Sequence, residues 1–352
     1  MKLKIKILLA VLVLAVLTTS CKKNNTDEPV IVEEPAVVDE EEIAEEEVKE
    51  ELPEKVGIPS PLSGIYAEEE KVNRRPVAVM FDNHPKARWQ AGLKDAEIVY
   101  EFLVEAPYTR YMGIYLINDP PLIGPIRSSR PYFVTTVLEY DAVYVRVGGS
   151  NQAMKDIKEL KIADIDGLTS SNKVFWRESH KKMPHNLYSS MEVIRQTQAE
   201  RKYRLTGEFT PFKFHEDDTD IEGGNASRVL INYRKDNNTE YVYDMEKKIY
   251  TRYKDGKLHI DETDESPIIA KNIIIQEAKT KVIDKEGRLD IQLVGEGNGK
   301  YITNGKVIDV KWVKKSREAK TLFYDLNGNE IVLNPGVTWI QVVEPKTEII
   351  IE

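Results

Sequence analysis

The 352-residue sequence has a single cysteine, Cys21. One thiol closes no intramolecular disulfide and builds no cysteine metal cage. Histidine is scarce too: His84, His180, His185, His215 and His259 are all there are, and no HExxH or comparable ligand spacing joins them. The apolar stretch Ile7 to Leu17 is unbroken, yet falls well short of the ~20 residues a membrane-spanning helix needs. A field of positive charge is also missing. Fourteen acidic residues against Lys22, Lys23 and Lys49 put −11 on Lys22 to Glu54, while Lys2, Lys4 and Lys6 put +3 on the start. Of the net −9, this leaves residues 55–352 close to neutral at −1. Nucleic acid is therefore not expected as a partner.

What is present at the start is the anatomy of an export signal. A positive n-region is followed by the apolar run and by the small residues Thr18, Thr19 and Ser20 leading into Cys21. Residues 1–20 read as a lipoprotein signal peptide and Cys21 as the lipidation point. One departure is Leu17, four residues before the cysteine, with Thr18 in the usual leucine place. Acyl chains contribute roughly 0.8 kcal/mol per buried methylene, enough in combination to hold a chain at a membrane without a spanning helix. Residues 21–56, acidic and free of aromatics, read as a disordered, self-repelling tether. The expected location is the outer, extracytoplasmic face of the cell membrane.

The body reads as an α+β fold. Residues 57–222 alternate strand runs and helices, as an N-terminal mixed sheet with packed helices requires. Expected strands are Pro76 to Phe81, Ala96 to Val104, Arg110 to Ile117 and Ala142 to Val147. Pro131 to Tyr140 suits a helix, Ser150 caps another, and Ser189 with Glu192 forms a capping-box pattern for a third. Residues 223–352 are short β-rich runs separated by turn dipeptides such as Asp255-Gly256, Asn304-Gly305 and Asn327-Gly328. That pattern predicts a mostly antiparallel all-β domain. Among its expected strands are Ile268 to Gln276, Glu330 to Leu333 and Val337 to Val343.

Polar residues cluster in the first domain. Gly124 to Pro131 is a loop feeding a helix, where free N–H groups and the dipole favour an anion. Arg127 and Arg130 add fixed charge with bidentate geometry, and Ser128 adds a hydroxyl. The alternative is that both arginines brace the fold against Glu101, Glu105 or Asp82. Gly148-Gly149-Ser150 is a second strand-to-helix turn of the same kind. Asp82-Asn83-His84 ends the first strand, and His185-Asn186 lies in a polar run with His180. Three roles are open for these histidines: loop fixing or anion contact, a metal site with Asp82, or a base for Ser128 or Ser129. The expected ligand set is Asp82, Asn83, Arg110, Arg127, Ser128, Arg130, Gly149, Ser150, His185 and Asn186. No metal and no cofactor is expected.

Several segments in order resemble the YerB-like lipoproteins, a family without an assigned function. They are Arg75 to Met80 with Asp82-Asn83-His84, Ala96 to Glu101, Thr109-Arg110, Gly124 to Arg130, Gly148 to Ser150, Pro184 to Tyr188, and Asn334-Pro335-Gly336 with Thr338-Trp339-Ile340. The resemblance spans Pro61 to Pro345 and implies an N-terminal α/β domain followed by a C-terminal β domain. Ala106-Pro107 departs from the glycines that commonly precede the Thr-Arg pair. A partial similarity to the LytR–CpsA–Psr transferases lies in the order of Arg110, the Arg127–Arg130 loop and the Gly-Gly turn; it implies a polyprenyl-pyrophosphate-linked glycan as the anion. The sequence thus points to a membrane-anchored protein binding an anionic wall precursor. The alternatives are a non-catalytic accessory to cell-wall synthesis proteins and a metal-dependent hydrolase.

Overall fold

Runs such as Val77–Asp82, Ile98–Leu103, Asn272–Glu277 and Thr338–Val343 lack the polar alternation of a half-exposed strand, and each is buried at nearly every position. Strands of that composition need cover on both faces. The computed structural model describes residues 55–352, so the signal segment, Cys21 and the tether as far as residue 54 lie outside the described residues.

These strands form the middle of a mixed sheet of eleven. Its order is Gly224–Asn225, Lys306–Lys314, Gly295–Thr303, Asn272–Glu277, Thr338–Val343, Ile98–Leu103, Thr109–Tyr115, Val77–Asp82, Val143–Arg146 and Asp164–Asp166, with Leu322–Asp325 paired to Lys306–Lys314 at the side. The two halves of the chain therefore share one sheet. They meet where Thr338–Val343 runs parallel to Ile98–Leu103, Trp339 opposite Val99 and Gln341 opposite Glu101. The C-terminal half is otherwise mostly antiparallel. It also builds a second sheet, ordered Lys257–Leu258, Ile249–Lys254, Asn237–Asp244, Arg228–Arg234 and Glu348–Ile351, with Ile269–Ala270 beside Ile249–Lys254.

Each face of Ile98–Leu103 meets a different layer, as the two-residue period demands. Tyr100 and Phe102 face the helix Pro131–Glu139: Phe133 stands edge-on to Phe102 with ring centres 4.9 Å apart, and the Tyr100 and Tyr140 hydroxyls are 2.6 Å apart. Such an aromatic pair adds ~0.5–1.5 kcal/mol beyond its buried area. Glu101 faces the second sheet, whose inward side chains alternate with half-exposed ones along Arg228–Arg234 and Ile249–Lys254.

Glu101, Arg252 and Lys254 are fully buried there. Arg252 Nη2 donates to Glu101 Oε2 at 2.5 Å, Lys254 Nζ lies 3.3 Å from Oε1, and Thr109 donates to Oε1 at 2.7 Å. Burial pushes the Glu101 carboxyl up, but Lys254 and Arg252 outweigh it and hold it below its ordinary value. Burial brings Lys254 down to about 8 despite Glu101.

Some local expectations need correction. The helix Met191–Glu200 is capped by Ser190, whose hydroxyl accepts from Val193 N–H at 3.3 Å; Ser189 instead donates to the Val174 carbonyl. Glu330 to Leu333 is not a strand. Ile331 and Leu333 donate singly to the Phe323 and Lys213 carbonyls, so no ladder forms. Ile268 to Gln276 splits into Ile269–Ala270 and Asn272–Glu277, one in each sheet. The expected turns hold: Asp255-Gly256 and Asn304-Gly305 both have positive φ at both residues, the geometry of a two-residue hairpin loop. Trp312 and Trp339 are buried.

Two stability outcomes follow. Glu101→Gln leaves Arg252 and Lys254 buried without a carboxylate and is expected to cost about 3–5 kcal/mol, read from urea midpoints. Lys320 is buried, without a hydrogen-bond partner among the described residues, over the rings of Phe212 and Tyr140. Burial, reinforced by Lys314 and opposed by Glu139, brings its amine down to about 7. Below pH 7 the ammonium is charged in both states and its full cost is present. From pH 7 to roughly 10.5 the unfolded chain alone binds the proton, so stability rises with pH across that window. Lys320→Met is therefore expected to raise the melting temperature most below pH 7, with the gain shrinking towards pH 10.

Candidate functional site

At the end of Val77–Asp82 the chain folds back on itself. His84 N–H donates to Asp82 Oδ1 at 3.0 Å, and Lys86 N–H donates to His84 Nδ1 at 3.1 Å, capping the short turn Pro85–Ala87. This leaves Asp82 Oδ2 to two other side chains. His185 Nδ1 lies 2.7 Å from it and Arg127 Nε 3.3 Å. The His185 ring stacks on His84, centres 4.4 Å apart and planes 18° apart, and Tyr108 packs on His84 at 4.6 Å. Burial and the adjacent His185 lower the His84 imidazole below its ordinary value, so it is neutral at pH 7.

The corner is held from behind by the second sheet. Gln90 Nε2 donates to the Asp82 carbonyl at 2.8 Å, His259 Nε2 meets Gln90 Oε1 at 2.9 Å, and Arg252 bonds His259 Nδ1. Arg252 can only donate, so His259 carries its proton on Nε2 and gives it to Gln90. Asn83 Nδ2 donates to Thr109 Oγ1 at 2.7 Å, which returns to Glu101, and Asn83 Oδ1 accepts from Arg88 at 3.0 Å. Asn83 is thus committed inside the protein. So is Asn186: its amide donates to the Glu178 and Lys181 carbonyls and accepts from Arg177, which shapes the loop carrying His185.

The three arginines differ. Arg130 Nε pairs with Glu105 at 2.6 Å and its Nη1 donates to the Ser129 carbonyl at 2.7 Å. Arg110, brought down to about 10 by burial and by Arg130, donates to the Ser128 carbonyl at 2.9 Å and lies 3.6 Å from Glu105. Both brace the loop. Arg127 is held more loosely: its buried Nε forms an ion pair with Asp82 at 3.3 Å but has no hydrogen-bond partner among the described residues. Its backbone donates to the Met80 carbonyl, which sets the loop along the end of Val77–Asp82.

The two strand-to-helix turns do lie side by side. Ser129 N–H donates to the Gly148 carbonyl, and Ser150 N–H to the Ser129 carbonyl. The anion-binding place at Gly148, however, is filled from within, because its N–H donates to Asp166 Oδ1 at 2.8 Å. The Ser150 hydroxyl caps the helix Asn151–Glu159, and Gly149 packs against Ser129. Neither serine of the loop reaches His185. Ser129 Oγ accepts from Tyr144 at 2.7 Å, and Ser128 Oγ faces Arg130 at 3.5 Å. His180 stands apart from the other two histidines, bonded to Glu262, which also takes Lys181 and Tyr188. Among the described residues no group of three or more His, Cys, Asp or Glu is disposed to hold a metal.

Of the expected ligands, Asp82, Arg127 and His185 converge on one carboxylate oxygen, with Arg110, Arg130 and Ser128 bracing the loop beside them. Glu105 was expected only as one of three possible braces for the arginines, and it takes Arg130. Asp166 and the Gln90–His259 connection were not singled out from sequence. Asp166 carries no motif of its own, and His259 acquires its role only through the approach of distant segments. A cavity of about 550 Å³ lies elsewhere, at Arg74 and Arg195. Those arginines share Asp119, which Arg74 holds through both nitrogens at 2.8 Å.

Comparison with known proteins agrees with this architecture. A family model described as "Protein of unknown function (DUF3048) N-terminal domain" matches residues 62–204, and the corresponding C-terminal domain model matches residues 229–340. YerB of Bacillus subtilis (strain 168), which is named as a lipoprotein, is 36% identical over 288 residues, 81% of this chain and 86% of the relative. The crystal structure of the YerB protein from Bacillus subtilis superposes with a TM-score of 0.76 at 34% identity, covering 83% of this chain and 99% of that one. With both halves matched in order and a relative similar along most of its length, the chain belongs to the YerB-like family of DUF3048 proteins.

Proposed function

We propose that the chain is a lipid-anchored protein of the outer face of the cell membrane, whose body binds an anionic cell-envelope ligand, a phosphorylated or lipid-linked glycan, at Asp82, Arg127 and His185. The location rests on the signal-like start, on Cys21 and on the naming of the Bacillus subtilis relative as a lipoprotein. The ligand reading rests on one observation above the others. Arg127 keeps a buried guanidinium N–H without a hydrogen-bond partner among the described residues, 3.3 Å from Asp82. A buried donor left unbonded costs about 1–3 kcal/mol, which an incoming oxyanion relieves. Guanidinium geometry suits phosphate and carboxylate oxygens alike. His84, bonded at Nδ1 by Lys86 N–H, carries its proton on Nε2 and adds a neutral donor beside the same corner.

The anchor is tested by fractionation: Cys21→Ser is expected to move the protein from the membrane to the soluble fraction, and an unchanged membrane share removes the lipid from the account. The site is tested by thermal shift with inorganic pyrophosphate. A ligand at a hundred times its Kd adds about 2.7 kcal/mol. That gain is expected in the unaltered protein and in Arg130→Ala, which starts from a lower melting temperature because Glu105 loses the closer of its two arginine partners. Arg127→Ala is expected to melt near the unaltered protein and to show no gain. An equal gain in Arg127→Ala moves the ligand to another place.

A further inference from the structure

We infer that the same corner is a hydrolytic acid–base site, in which His185 Nε2 takes a proton from the water that attacks a phosphoric anhydride held at Arg127. The inference rests on the anion-binding reading above and adds a reaction to it.

The proton positions follow from the partners. A carboxylate only accepts, so the Nδ1 that meets Asp82 Oδ2 at 2.7 Å carries hydrogen, and in the neutral imidazole this puts the lone pair on His185 Nε2. A backbone N–H only donates, so His84 Nδ1 is an acceptor and its hydrogen sits on Nε2. The two stacked rings therefore have opposite character at Nε2, one a base and one a hydrogen-bond donor. Asp82 is a positioning residue, fixing the tautomer and the plane of His185, as an oriented carboxylate does in other acid–base pairs. It is itself fixed through its carbonyl by Gln90 and His259.

The nucleophile is water. Ser129 Oγ is tied to Tyr144, and Ser128 Oγ faces Arg130 rather than His185. The substrate class follows from what the corner can donate. A neutral imidazole N–H and a guanidinium are hydrogen-bond donors rather than acids, so neither His84 nor Arg127 protonates a poor leaving group. The leaving oxygen must depart as an anion, which a phosphate does and an alkoxide does not. In the step, water oxygen forms a bond to phosphorus and one water proton passes to His185 Nε2. The bond from phosphorus to the bridging oxygen breaks, and its electron pair stays on the departing phosphate. Arg127 and His84 N–H groups hydrogen-bond the oxygens that gain charge, and His185 then releases its proton to solvent.

The test uses the full chain with inorganic pyrophosphate in EDTA, and glycerol 3-phosphate as the substrate with a poor leaving group. Phosphate release is expected from pyrophosphate alone. His185→Ala is expected to lower kcat by about 10²–10⁴-fold, the range of a general base, while pyrophosphate still raises its melting temperature. Added imidazole is expected to restore part of the loss. His185→Asn keeps an amide donor for Asp82, so it repairs a bracing role but not a base. It is expected to melt like the unaltered protein and to be as inactive as His185→Ala. Pyrophosphate bound by the unaltered protein but released as phosphate no faster than by His185→Asn overturns the inference and leaves the binding site standing. Absence of pyrophosphate binding removes both.

Discussion

A carboxylate cannot be buried beside two cations unless all three are bonded, and Glu101 is where this protein meets that condition. Taken singly, Glu101, Arg252 and Lys254 each carry a desolvation cost of several kcal/mol. Together, with Thr109 and Thr239 as further partners, they form a closed polar set between the two sheets. An apolar contact would hold two layers together in many registers. This set admits one, because Arg252 must also reach His259 and Lys254 must reach Asn237.

The candidate site hangs from that set. Asn83 is joined to Glu101 through Thr109, and Asp82 to Arg252 through Gln90 and His259, so the turn after Val77–Asp82 is fixed by residues of the other half of the chain. Against this rigid background the contrast among arginines acquires meaning. Arg110 and Arg130 spend their donors on Glu105 and the loop carbonyls, and Arg127 retains one. Placing Asp82 between Arg127 and His185 also keeps a positive and a basic group from drifting apart, since both answer to one oxygen.

Much of the fold was legible because its strands are either continuously apolar or cleanly alternating, and because Asp-Gly and Asn-Gly mark their turns. Gly295–Thr303 escaped notice for a physical reason. Its glycines lower strand propensity, yet a Cβ at Gly297 would stand 2.5 Å from Trp312 Nε1, and one at Gly299 would stand 2.3 Å from the Ile275 carbonyl oxygen. The close packing that demands glycine lives in the partners, not in the segment. The Ser189 and Ser190 confusion is of a similar kind, two equivalent caps one residue apart, decided by which hydroxyl the Val174 carbonyl claims. At the site, the residue types and loops were readable, but the bonding state of each arginine was not. Spacing along a chain does not say which of Glu101, Glu105 and Asp82 each arginine takes. It carries no information about Asp166 as an internal anion, or about the isolated bridge of Gln90 to Asp261 that brings His259 to Gln90.

The parallel seam between Ile98–Leu103 and Thr338–Val343 bears on the order in which the polypeptide folds. Ile98–Leu103 pairs on one side with the nearby Thr109–Tyr115, but on the other only with Thr338–Val343, far along the chain. Until Thr338–Val343 is available, Ile98–Leu103 is the edge strand of the N-terminal half, with one open, apolar side, and the sheet is incomplete. Pairings of such large sequence separation are slow to form, because the intervening chain must be closed into a loop first. The topology thus postpones completion of the sheet until the C-terminal half has been made.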